Sequence, residues 1–371
     1  MNRQTAVICE FNPIHSGHSF LLSTVKAERS VILAVMSGNF TQRGIPAVFD
    51  KYARAQSALA CGADLVLELP FPWCVSGAED FALGGVSVAA GSGAESLTFG
   101  SESGDFALLN RAAAAKESEE YTSLMREAEK SGRNRGSAVL FDEVMRTFGV
   151  EEPLGANDKL GAEYIRLAKR LDMARIEPVT RMKDAPSASG LRKLLYTEGF
   201  DALKPYLPRE AFAVLQDRSI CPEEKYAELL FAHCRLYIPE DEPNDLLRYA
   251  AKAARECVTA AEFLEKLPTK KYTAARMRRE ILRHLLSVTP EESRIPPRFT
   301  VLLAANEAGR AYLSERGKTF GIPIITKPAD FSGLDEVGKT QYSRHRSADS
   351  LYALLTGRPA DYFLKQHPVI R

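Results

Sequence analysis

The stretch Val7–Leu22, VICEFNPIHSGHSFLL, constrains the fold more than any other part of this 371-residue chain. The run Ala6-Val7-Ile8-Cys9 is short and apolar, which predicts a buried strand. Asn12-Pro13 breaks it, and after His15-Ser16-Gly17-His18 an apolar pattern of helical length begins. A strand, a tight loop and a helix N-terminus in that order make a phosphate-binding site, because unpaired backbone N–H groups and the helix dipole point at the loop. His15 and His18, three residues apart, fall on one side of the first helical turn, so both imidazoles can face one anion. Gly17 between them leaves room for a flat ring to approach the backbone. The plainer alternative makes His15 a helix cap and His18 a surface residue.

Further along, Ser30–Met36 reads as a second buried strand, and the polar, glycine-containing loop Ser37–Asp50 leaves its C-terminal end. In open parallel sheets ligands bind at that edge, so this loop is a candidate wall of the site. Lys51–Cys61 reads as a helix, Ala63–Leu69 as a third strand, Ala78–Ala90 as a close-packed helix and Ser96–Phe99 as a fourth strand. Helices are expected through Asp105–Lys130 and Val139–Phe148. Asn157 or Asp158 is the expected cap of the next helix, and Ile176–Val179 is a fifth strand. Strands alternating with helices predict an α/β fold with a doubly wound parallel sheet over residues 1–198. From about Gly199 helical periodicity broken by prolines takes over, predicting a mostly α-helical second domain over 199–371, with a small αβ element near Phe320–Lys327.

Charge narrows the partners. Charged residues are 26% and the formal net charge is +1, so any nucleic-acid contact must be a local patch. The six cysteines are scattered with no CxxC, which predicts reduced core thiols and no zinc site. Nothing reads as a signal segment or a membrane span, so the expectation is a soluble, cytoplasmic protein without a membrane partner. Cys9, mid-strand, is rejected as a nucleophile. Trp73 and Cys74 read as packing residues, and His233, His284 and His367 as lone residues without a partner.

A second phosphate motif follows the fifth strand. In Ser187-Ala188-Ser189-Gly190-Leu191-Arg192-Lys193, small hydroxyl residues open a helix and a basic residue follows one turn on, so Ser189 and Arg192 are candidate phosphate ligands. An ordinary N-cap with a surface arginine is the alternative. His-x-Gly-His resembles the signature of the nucleotidyltransferase superfamily, which includes class I aminoacyl-tRNA synthetases, and SASGLRK resembles its second signature. The pieces EFNPIHSGH, SGNFTQRGIPAVFDKYARAQSAL, GADLVLELP, LTFGSE and SASGLRK, with KKYTAARMRR, AANEAGR and RHRSADSLYALL, resemble the bacterial tRNA(Met) cytidine acetate ligase family over nearly the whole chain.

The resemblance implies an ATP-dependent ligase that makes N4-acetylcytidine at the wobble position of elongator tRNA(Met) from acetate. Acetate must first attack the α-phosphorus of ATP, releasing pyrophosphate and giving acetyl-adenylate. That step needs positioning and charge stabilisation rather than covalent chemistry by the protein. His15 and His18 are the expected catalytic pair. ATP is expected along Val7, Ile8, Cys9, Glu10, Phe11, Asn12, Pro13, Ile14, His15, Ser16, Gly17, His18, Ser19 and Phe20. Further ATP contacts carry over from the family onto Gly100, Asn157 and Arg181. Where relatives tend to have two asparagines this chain has Asn157-Asp158, and Thr180-Arg181-Met182-Lys183 leaves Arg181 and Lys183 as alternatives. No protein metal site is expected, although cleavage of a triphosphate calls for Mg²⁺ on general grounds.

Lys270–Arg279 is the densest basic run. Lys271, Arg276 and Arg279 are its candidate tRNA contacts, Arg276, Arg279 and Arg283 recur on one helical face, and Tyr272 is available to stack on a base. A solvated helix face is the alternative, and Arg344-His345-Arg346 is a smaller candidate. Arg43 could meet pyrophosphate or RNA at the mouth of the site, and Asp50-Lys51 could simply start a helix. Two rival functions stay open: a small-molecule adenylyltransferase of the phosphopantetheine or nicotinamide mononucleotide type, and a non-catalytic RNA-binding protein. The sequence leaves oligomeric state and the acetate pocket unassigned.

Overall fold

The apolar runs become neighbouring strands of one sheet. The computed structural model describes residues 3–28, 31–131 and 136–371. Its strands are β1 (Gln4–Cys9), β2 (Val31–Ser37), β3 (Leu65–Leu69), β4 (Ser96–Ser101), β5 (Arg175–Thr180), β6 (Thr300–Ala305), β7 (Ile324–Ile325) and β8 (Val369–Ile370). The order is β5-β4-β1-β2-β3-β6-β7, with β8 also on β6, and β5 through β3 are all parallel. Ser30, the expected first residue of the second strand, lies outside the described residues.

Alternation along the strands explains why both faces are covered. Ala6, Ile8, Leu33, Val35, Leu65 and Leu67 enter one core, whereas Val7, Cys9, Ile32, Ala34, Met36 and Val66 enter another. Helices α1 (Ser16–Ala27), α2 (Lys51–Ala60) and α3 (Ala78–Gly91) make the first crossovers. The chain runs outward from β1 through β2 to β3, then returns to place β4 on the other side of β1. That reversal puts a crevice outside the carboxyl ends of β1 and β4, where a doubly wound sheet holds its ligand.

The second half departs from the expected picture. It is helical from Arg209–Leu215 to Ala274–Leu285, but Thr300–Ala305 then joins the central sheet antiparallel to β3. The sheet therefore extends past the expected boundary at residue 198. After Thr300 the run VLLAA is short and wholly apolar, a pattern that periodicity alone cannot separate from buried helix. The small element expected near Phe320–Lys327 contains β7, paired in parallel with β6.

Candidate active site

At the crevice the backbone turns sharply out of β1. Phe11 adopts a left-handed conformation (φ 47°) and its buried ring meets His18 edge-on at 5.2 Å. The chain then enters α1 with His15 as N-cap, its Nδ1 accepting from the Gly17 N–H at 3.2 Å. In return, His18 Nδ1 accepts from the His15 N–H at 3.3 Å. The two rings stack with centroids 3.7 Å apart. His15 is thus a helix cap and a cavity residue at once.

This reciprocal cap fixes the chemistry of the pair. A ring whose Nδ1 accepts a backbone N–H carries its proton on Nε2, so each neutral imidazole has its Nε2–H to donate. Burial, and then Arg181, pushes the His15 imidazole down to about 4. Burial, His15 and Arg181, in that order, hold His18 well below its ordinary value. Near neutral pH the pair is uncharged and offers two donors rather than two cations.

A cleft of about 220 Å³ opens at these rings, and Val7, Ile8, Cys9, Glu10, Phe11, Asn12, Gly17 and Phe20 line it with them. Of the expected nucleotide run, Pro13, Ile14, Ser16 and Ser19 do not line it: Ile14 is core, and the Ser16 N–H is bonded to Tyr206 O at 3.1 Å. Gly100, Asn157 and Arg181 all reach the cleft, and Lys183 does not. Gly100 lies within β4 opposite Val179 rather than in a loop, and a Cβ there would meet Arg181 Cγ at an ordinary 3.4 Å. Gly17 is tighter, since a Cβ would fall 2.9 Å from Ala185 Cβ.

Neither Asn157 nor Asp158 caps the helix Ala156–Arg170. The Glu102 carboxylate does so from the loop after β4, accepting from the Asn157 N–H at 3.3 Å and the Asp158 N–H at 2.9 Å. Buried Asp158 accepts in turn from Ser101 Oγ at 2.5 Å, Glu102 N at 2.9 Å and Ser103 N at 3.0 Å. A carboxylate suits that position because three donors surround it. Arg181 pairs with Glu102 at 3.3 Å. In the second motif Ser187 is the N-cap, while Arg192 donates to Ser189 Oγ and Asn12 O, each at 3.0 Å. Ser189 and Arg192 buttress the first motif and do not line the cleft.

The basic run is not one solvated stripe. Lys271 and Arg276 are exposed and lie over the Tyr272 ring, at 5.1 and 4.9 Å from its centroid. Arg279 donates to Gln42 O at 3.0 Å and buried Arg283 to Ser76 Oγ at 2.9 Å. Both hold the helix Ala274–Leu285 against the sheet domain, correcting their expected place on an RNA-facing surface. In Arg344-His345-Arg346, Arg344 pairs with Glu292 at 3.1 Å and His345 is buried, which leaves Arg346 as the exposed residue of the three. His233 and His284 are not lone, since His233 Nε2 lies 2.8 Å from His284 Nδ1.

Two buried groups escaped sequence reading. Arg54 donates to the carbonyls of Glu10, Ser37, Gly38 and Phe49, tying together the chain as it leaves β1 and β2. Lys51 Nζ lies 2.9 Å from Glu68 and 2.6 Å from Asp349, beside His345. Glu68, His345 and Asp349 are close enough to hold a metal ion, but the Lys51 ammonium already supplies the cation there.

A paired-histidine loop at the switch point of a parallel sheet defines a nucleotidyl transferase fold, and the HIGH nucleotidyl transferase family matches residues 2–366. The tRNA(Met) cytidine acetate ligase of Lysinibacillus sphaericus is 31% identical over 366 residues, covering 88% of this chain and 90% of its own. That of Bacillus licheniformis is 32% identical, covering 89% and 88% respectively. The structure of Thermotoga maritima TmcAL bound with alpha-thio ATP superposes with a TM-score of 0.90 at 27% identity, over 99% of each chain. The chain belongs to the tRNA(Met) cytidine acetate ligase family within the HIGH nucleotidyl transferases.

Proposed function

We propose that this chain is an ATP-dependent acetate ligase that forms acetyl-adenylate and passes its acetyl group to N4 of the wobble cytidine of elongator tRNA(Met). The observation that carries the reading is the stacked His15–His18 pair, whose two Nε2–H donors belong to the wall of the crevice. Neutral donors held in place before the reaction stabilise charge developing on phosphate oxygens without reorganising. The backbone of Val7–Phe11, with Gly17, Gly100, Asn157 and Arg181, holds the nucleotide, Arg181 adding the positive charge. Glu10 is the single carboxylate on the cleft wall among the described residues, so the chain builds no magnesium cage of its own there. A Mg²⁺ ion would rest chiefly on phosphate oxygens and water.

Residues 1–198 supply the cleft, and the helical region beyond them, through exposed Lys271 and Arg276, contacts tRNA phosphates; the enzyme works in the cytoplasm. No helix among the described residues is long and apolar enough to cross a membrane. Incubation with ATP and labelled acetate, with and without tRNA(Met), tests the reading by mass spectrometry of the nucleosides. N4-acetylcytidine that requires all three components is the expected product. An acetate-independent adenylylated small molecule would instead make the chain a phosphopantetheine-type adenylyltransferase.

A further inference from the structure

Glu10 follows β1 directly and lines the cleft. Its Oε1 accepts from the Gln42 N–H at 2.6 Å, and Arg54 grips its carbonyl at 2.6 Å. Oε2 has no hydrogen-bond partner among the described residues. Two residues on, Asn12 shows a complementary vacancy. Its Oδ1 accepts from Val48 N at 2.8 Å, whereas its buried Nδ2 has no acceptor among the described residues. A buried donor without a partner is rare enough to need a reason, and a place in a catalytic site is one.

The remaining groups on the wall cannot take up a proton easily. His15 and His18 have spent Nδ1 on backbone donors and keep Nε2 protonated. Cys9 and Tyr164 are buried, which pushes both well above their ordinary values and keeps them protonated. We infer that Glu10 is the proton acceptor for the attacking amine in the acyl-transfer step, a role that rests on the acetate-ligase reading. The N4 lone pair attacks the acetyl carbon of acetyl-adenylate, a C–N bond forms, and the carbonyl π pair moves onto oxygen. The N4 proton passes to Glu10 Oε2. Collapse restores the C=O bond and breaks the bond to the phosphate oxygen, which leaves with the electron pair as AMP; Glu10 then releases its proton to water.

The groups facing Glu10 set the pH at which it works. Burial pushes its carboxyl up, while the Gln42 N–H, Arg192 on the helix Ala188–Glu198, Arg54 on α2 and Arg43 on the loop hold it down. Cys9 and Tyr164, the other titratable neighbours, stay uncharged. The net rise moves a carboxylate toward the strength a base needs near neutrality.

Glu10→Gln in the full chain, with ATP, acetate and tRNA(Met), tests this. Single-turnover transfer of acetyl to tRNA should fall about 100-fold or more. Acetate-dependent ATP–pyrophosphate exchange should fall by a much smaller factor. The acid limb of the transfer rate should vanish in Glu10→Gln and return in Glu10→Asp. Equal losses in both steps, or an acid limb that persists in Glu10→Gln, would overturn the assignment. Should Glu10→Gln not fold, a transfer rate in the unsubstituted protein with no acid limb would overturn it as well. Absence of acetate-dependent exchange in the unsubstituted protein would instead sink the acetate-ligase reading itself.

Discussion

Two buried polar clusters lie at the same edge of the sheet, and they differ in what they leave unspent. Around Lys51 every group is committed: the ammonium to Glu68 and Asp349, Asn39 Nδ2 to Asp349 Oδ1 at 2.8 Å, and the Lys51 N–H to Asn39 Oδ1 at 3.0 Å. Burial opposes the Lys51 charge, but Asp349 and Glu68 outweigh it and raise its pKa. At the cleft, by contrast, His15, His18, Glu10 and Asn12 each hold one bond to the chain and keep a second valence free. A saturated cluster ties α2, β3 and the C-terminal helix Glu336–Leu355 together. An unsaturated one leaves donors and acceptors that a ligand could meet. Polarity and burial alone do not distinguish architecture from chemistry; the count of unspent donors and acceptors does.

The largest effect expected from breaking this contrast is on stability. Lys51→Met leaves Glu68 and Asp349 buried without their cation and should cost about 3–5 kcal/mol in denaturant unfolding. Neutralising the partners as well, in Lys51→Met with Glu68→Gln and Asp349→Asn, should recover much of it. His18→Ala should lower acetate-dependent ATP–pyrophosphate exchange about 100- to 1000-fold, the scale of removing one preorganised donor. An equal loss of folded protein would move His18 into the architectural class.

Acid should expose the uncharged state of the pair. The folded pKa of His15 is depressed from 6.5 to about 4, so below 6.5 the unfolded chain binds protons that the native one refuses. Stability is then full above about pH 6.5 and falls as pH drops toward 4, by roughly 3 kcal/mol for His15 alone. His15→Gln should flatten that slope in urea titrations across the interval. Gly17→Ala presses a methyl group on Ala185 and should cost about 1–3 kcal/mol of stability.

The smallest effect belongs to the basic helix. Arg276→Glu should weaken tRNA binding and reduce its salt dependence by about one counterion, with ATP affinity unchanged. Arg279→Ala should instead disturb the Gln42 loop and affect ATP-dependent steps. A uniform electrostatic loss from both variants would restore the view of one RNA-facing stripe.

What the sequence made legible followed from local pattern. Strand–loop–helix order around His15 and His18 and the alternation of apolar runs located the cleft, because both depend on neighbours in the chain. Gly100, Asn157 and Arg181 came only through family resemblance, since the topology that brings β4 and β5 beside β1 leaves no local mark. Glu102 as a cap across more than fifty residues could not be read at all. Arg54 left a faint signal, a charge set among the alanines of KYARAQSALA. Arg279 and Arg283 misled because helical spacing shows that two side chains share a face, not whether that face meets water or β-sheet loops.

The central claim is that His15 and His18 are neutral Nε2–H donors poised for a triphosphate. Long-range ¹H–¹⁵N correlation spectra of histidine-labelled protein at pH 7 report tautomer and charge directly. Two Nε2-protonated neutral rings, both shifting when a nonhydrolysable ATP analogue is added, is the result expected. Imidazolium signals, Nδ1–H tautomers, or rings indifferent to the nucleotide would contradict it.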